Sequence, residues 1–255
     1  MKNLQTMFIS MLMMLIYSST IYGQKLMKLD DELKANSKPI EAKRKGMSSI
    51  GKYEFGPYKI VSGKGGWGTT TSKKNFFSFE TKSESKTKLS FVFVANEKDT
   101  ILVNTATNTK FSQSDFSFGD LSTTTLNQSI DNFIAMISPG YDTTVWKMVL
   151  VSRSGAEVEG NYTSEGILTN GPMNIQIRTI KQWEDGKNPV FKMICGYEFF
   201  IDNNSIAAVQ ANLNLTPKKF VWLHQNLDEK MKSILAAASA SIMIYTDEAQ
   251  SDKGN

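Results

Sequence analysis

Residues 233–244, close to the C-terminal end, run for twelve positions without a charged side chain in a chain that is 21% charged overall. The segment opens "NLDEKMKS", where Asn226 can cap a first turn and Glu229 stands three residues later to reach back to the cap amide. Asp228 and Glu229 suit the positive end of a helix dipole, whereas Asp247 and Glu248 oppose its negative end. The pattern therefore predicts a helix over 226–245, with 247–255 a flexible tail. A bilayer span needs about 20 apolar residues, so this run is too short to cross a membrane. Its alanines and serines are small on every face, which leaves no single apolar stripe for a surface helix to bury. Enclosure within protein is the leading reading, with interfacial insertion or oligomerisation as the competitors.

The other end of the chain has a different bareness. Lys2 precedes an apolar run over residues 7–17 and then small and polar residues up to Gly23, the layout of a secretory signal peptide over 1–23. Cleavage there would leave 24–255 as an exported chain, periplasmic or extracellular. The single cysteine, Cys195, cannot form an internal disulfide, and a buried thiol is its default role.

Residues 24–51 are polar, contain Pro39 and read as a leader outside the main core. From Lys52 the period changes toward two in "KYEFGPYKIVSG", "KLSFVFVANEKDTILVNT" and "TVWKMVLVS", with turns at "NEKD", "WEDGKN" and "DNNS". Phe91, Phe93 and Ile101 fall on one apolar face, and "SIDNFIAMIS" reads as a short helix. No βαβ alternation or internal repeat appears, so 52–246 is expected to be one mainly β domain. An antiparallel barrel closing around the terminal helix would pair its strand edges and bury the bare segment at once. A two-layer sheet with the helix across it is the alternative.

The terminal segment, with Leu227, Asp228, the Lys230-Met231-Lys232 run and the small-residue helix through Ile244, resembles the end of the phospholipid scramblase, LURP-one-related and tubby C-terminal superfamily. Upstream, "GYEFFIDNNSIAAVQ" is similar to that group's strand, turn and strand, so the likeness covers 196–245. It implies a barrel of about twelve strands around a hydrophobic C-terminal helix. Neither a palmitoylated cysteine cluster, a calcium-binding segment nor a phosphoinositide-binding lysine pair carries over, so the resemblance implies fold rather than scrambling.

No catalytic, cofactor or metal constellation is legible. His224 is the only histidine, which rules out a multi-histidine metal site and leaves a local hydrogen-bonding role. "SGKGGWGTTT" lacks the spacing of a phosphate-binding P-loop. Trp146, Trp183 and Trp222 lie in or beside strands and read as core. The charge of +4 is too mild to single out nucleic acid, yet residues 43–88 hold eleven Lys or Arg against three Glu. Within that sector Lys52, Lys59, Lys64, Trp67, Lys73 and Lys74 are the candidate partner-binding residues. The sequence thus points to a monomeric, exported, non-enzymatic binding or structural protein, requiring no cofactor, that meets another protein or an anionic envelope surface. A carrier of lipid or a small apolar ligand is the alternative, and an enzyme with a concealed site the third reading.

Overall fold

The computed structural model describes residues 25–46, 52–65, 69–74, 81–112, 116–118, 121–123, 128–154, 162–189, 194–211 and 218–251. Tight turns and alternating side chains give the expected antiparallel ladder. The first hairpins are β1 (Ile40–Lys45), β2 (Lys52–Phe55) and β3 (Tyr58–Gly65), followed by β4 (Thr69–Lys74) and two long strands, β5 (Thr81–Ala95) and β6 (Asp99–Ser112). A small separate hairpin, β7 (Phe116–Phe118) with β8 (Leu121–Thr123), precedes β9 (Gln128–Pro139), β10 (Trp146–Ser154), β11 (Tyr162–Thr169) and β12 (Asn174–Ile180). The last three strands are β13 (Gly196–Ile201), β14 (Asn204–Gln210) and β15 (Lys219–Leu223).

Twelve of these close a ring in the order β1, β2, β3, β5, β6, β9, β10, β11, β12, β13, β14, β15, all antiparallel. The closing registers are Ile40 opposite Val221 and Tyr58 opposite Ala95. β4 continues the path of β3 along β5, with Thr69 opposite Lys86, and lies outside the ring. Turns fall where the sequence placed them: Asn96 and Glu97 join β5 to β6, and Asp202 and Asn203 join β13 to β14, each pair with positive φ. Asparagine and aspartate tolerate that left-handed conformation better than most residues. The segment "SIDNFIAMIS" belongs to β9 rather than to a helix. Its Ile130, Phe133, Ile134 and Ile137 fit a helical period as well as a strand, and pairing with β6 and β10 on both sides decides for the strand.

Inside the ring runs α2 (Glu229–Ser251), and no residue from 233 to 245 exceeds 3% exposure. The barrel wall meets it with Phe91, Phe93, Ile101, Val103, Phe133, Ile137, Met148 and Leu150, and Phe133 stacks on Tyr245 at 4.6 Å between ring centroids. Alanine at most inner turns leaves room for these large wall residues, at close-packed density. The chain is therefore a mainly β, twelve-strand closed antiparallel barrel with an internal C-terminal helix, the tubby-like architecture.

Both ends of α2 differ from the expectation. Its cap is Asp228, whose Oδ1 accepts from the Met231 amide at 2.7 Å, while Glu229 pairs with Lys232 instead of reaching back. The far end continues past Tyr245 because Asp247 is neutralised there, as described below. Residues 25–46 also do more than lead into the domain. Ile40–Lys45 is the strand that closes the ring between β15 and β2. Before it, an extended strap and the short helix α1 (Asp31–Ala35) lay Met27 and Leu33 over Trp183, Phe220, Trp222 and Cys195 on the outer face. Gln210, fully buried, holds the strap by accepting from the Met27 amide and donating to the Lys25 carbonyl.

Candidate functional site

With the interior filled, the surface available to a partner is the outside of the barrel. Strand alternation sends Phe133, Ala135 and Ile137 inward and Ile134 and Met136 outward. The register then aligns Ala106 of β6, Ile134 of β9, Val149 of β10 and Ile167 of β11 in one cross-strand row. The next row aligns Asn104, Met136, Lys147 and Thr169, and beyond it Leu102 stands beside Val92. Leu102, Met136 and Ile167 are 44%, 38% and 37% exposed, so the outer sheet presents an apolar field rather than scattered single residues.

Lysines border this field. Lys88 of β5 stands opposite Ala106 at the end of the first row, Lys64 of β3 lies in line with Ser90 and Asn104, and Lys147 is inside the second row. All three are exposed, and neither row contains a carboxylate.

The candidate lysines divide between two places. Lys52 and Lys59 sit on adjacent strands, opposite Lys45 and Glu54 respectively, with Lys64 further along β3. Glu54 ion-pairs with Lys45, and that bond, with further attraction from Lys59 and Lys43, holds its carboxyl below the ordinary range. The part of the basic sector around Glu54, with Lys43, Lys45 and Lys59, is thus partly neutralised, whereas Lys64 and Lys88 border the apolar patch. Lys73 and Lys74 pair through their backbones with Lys82 and Thr81 on β5. Trp67 lies outside the described residues. The apolar rows went unassigned in the sequence, although their signal is present: "TILVNT", "NFIAMIS" and "KMVLVS" are continuous apolar runs, the pattern of strands that are apolar on both faces.

A second cluster lies at the end of α2. Lys219, only 2% exposed, points its Nζ to Asp247 Oδ1 at 2.6 Å, the Met243 carbonyl at 3.0 Å and Thr246 Oγ1 at 3.3 Å. Tyr53 donates its hydroxyl to Asp247 Oδ2, and Arg44 Nη1 is 3.9 Å from the same oxygen. Burial lowers the Lys219 pKa, with Asp247 opposing that shift, and burial followed by Asp247 raises that of Tyr53.

The remaining candidates are structural. His224 Nδ1 accepts from the Asn226 amide in the turn before α2. Cys195 is free and buried, and desolvation pushes its thiol up to about 12, far from a reactive thiolate. Trp146, Trp183 and Trp222 are all buried. Among the described residues, no three His, Cys, Asp or Glu converge to hold a metal, and no helix is long and apolar enough to cross a membrane. Comparison with known proteins finds no matching family model, curated protein or solved structure.

Proposed function

We propose that this chain is an exported, non-enzymatic member of the tubby-like superfamily that contacts an anionic lipid surface through the outer face of β5, β6, β9, β10 and β11. The observation carrying this reading is the outer apolar patch of Leu102, Ile134, Met136, Val149 and Ile167, whose cross-strand rows also hold or border Lys64, Lys88 and Lys147 and contain no carboxylate. Such a face suits the boundary between headgroups and acyl chains, where apolar side chains insert shallowly and lysines meet anionic phosphates. Lysine stems can lie along the apolar rows while their ammonium groups reach the headgroups. A ligand carried inside the barrel is disfavoured, because α2 occupies that volume.

Vesicle sedimentation tests the proposal with phosphatidylcholine alone and with phosphatidylserine added. The chain should bind the anionic vesicles, and the charge-dependent part should weaken with salt, since screening acts within roughly 8 Å at physiological ionic strength. Leu102→Glu with Ile167→Glu should abolish binding while leaving the unfolding temperature nearly unchanged. Absence of sedimentation with anionic vesicles at low salt would refute the reading.

A further inference from the structure

We propose that Lys219 and Asp247 condense to an intramolecular isopeptide bond, Nζ to Cγ, that staples the end of α2 to β15. The cluster has the parts that amide formation needs. Its nucleophile is an amine removed from water, and its electrophile is a carboxyl carbon held against it. The 2.6 Å contact between Nζ and Oδ1 puts Nζ within about 3.5 Å of Cγ, the reach of a near-attack pair. Desolvation favours the uncharged amine, as in other nucleophilic lysines. Tyr53 and Arg44 both face Oδ2, where negative charge gathers on attack. Thr246 Oγ1, 3.3 Å from Nζ, and the Met243 carbonyl hold the amine in place against the carboxyl.

The atoms balance without a co-reactant. Starting from ammonium and carboxylate, one proton passes from Nζ directly to Oδ1 across the 2.6 Å hydrogen bond. The freed lone pair attacks Cγ, forming the C–N bond and placing charge on Oδ2 beneath the Tyr53 hydroxyl. The Cγ–Oδ1 bond then breaks, and Oδ1 leaves as water with a second proton from Nζ. One proton remains on nitrogen, and Oδ2 becomes the amide carbonyl oxygen. Two desolvated charges are replaced by a neutral amide, which removes the cost of keeping an ion pair out of water. In a chain with one cysteine, this bond would secure the terminal helix as no internal disulfide can.

The test is the intact mass of the isolated full chain under denaturing conditions, followed by tandem mass spectrometry of its proteolytic peptides. The expected mass is lower than that of the unreacted chain by one water, with a branched peptide joining the Lys219 and Asp247 segments. Lys219→Arg and Asp247→Ala should each restore the water, while Asp247→Asn should lose ammonia and reach the wild-type product mass. The branched peptide in the wild type is decisive even where a variant folds poorly. An unreacted wild-type mass, or a water loss that survives in Lys219→Arg, overturns the proposal and leaves a buried ion pair.

Discussion

A carboxylate placed at Ala237 measures how completely the barrel encloses its helix. Ala237 is fully buried, and its carbonyl accepts from the Ser241 hydroxyl within the same uncharged run. An aspartate there would have no cation among its helical neighbours, since residues 233–244 are uncharged. The side chain would stay protonated at neutral pH, and raising its pKa by about 3–3.5 units costs roughly 4–5 kcal/mol at about 1.4 kcal/mol per unit. Forcing the larger side chain against the wall adds about 1–3 kcal/mol. The total, roughly 5–8 kcal/mol, rivals the whole stability of an ordinary domain, about 5–15 kcal/mol. Ala237→Ser is the control, because a serine can bond back to the preceding turn and should cost only about 1 kcal/mol. Urea unfolding followed by tryptophan fluorescence should therefore show Ala237→Asp unfolded or nearly so at pH 7 and partly recovered at pH 5. A loss below about 1 kcal/mol, with oligomeric state unchanged, would mean that the position meets water and that the enclosed-helix reasoning is wrong.

Three other perturbations probe separate parts of the structure. Asp228→Ala should cost about 0.5–2 kcal/mol in urea unfolding through loss of the cap to Met231, and Asn226→Ala distinctly less, whereas equal losses would contradict the observed cap. Burial raises the pKa of Glu198 above its ordinary 4.5, against the hydrogen bonds from Ser205 and the Asp30 amide. The folded state therefore holds the proton more tightly than the unfolded chain, and this contribution, present below 4.5, declines as pH rises through the raised pKa. Thermal melts across that range should show a downward slope that Glu198→Gln flattens, and an unaltered slope would exclude Glu198 as its source. Cys195 should resist alkylation at pH 8 until the chain unfolds, as fast labelling of native protein would show an accessible thiol.

The barrel and its helix were legible because uncharged small residues at Ala236–Ala238 allow close approach on every side, and alternation in β2 and β5 fixed an inner face. What escaped the sequence depended on distant partners. Asp247 looks like a helix stop, yet it is stabilised by Tyr53, 194 positions away, and by Lys219, 28 positions away. Leu26, Met27, Leu29 and Leu33 look sparse in a polar leader, and it is Ile180, Trp183, Phe220 and Trp222, far along the chain, that give them a surface to cover. The candidate lysines were visible as a local charge excess, but Glu54 inside the same ladder, paired with Lys45, offsets part of it.

The same physical rule links the two features that most shape this molecule. An element without a polar face has to be covered on more than one side, because uncovered apolar surface costs about 25 cal/mol per Å². For α2 the barrel supplies that cover all round, and for the outer faces of β14 and β15 the strap supplies it with Met27 and Leu33. Strands β6, β9 and β10 also carry continuous apolar runs, and α2 covers their inner faces while Leu102 and Met136, with Ile167 of β11, remain exposed outside. The outer faces of β14 and β15 are thus covered by the chain's own strap, whereas the β5–β11 side bears uncovered apolar residues beside Lys64, Lys88 and Lys147. Under the proposed lipid contact, binding falls on the β5–β11 side of the wall, where a lipid surface would cover apolar side chains as the strap covers those of β14 and β15.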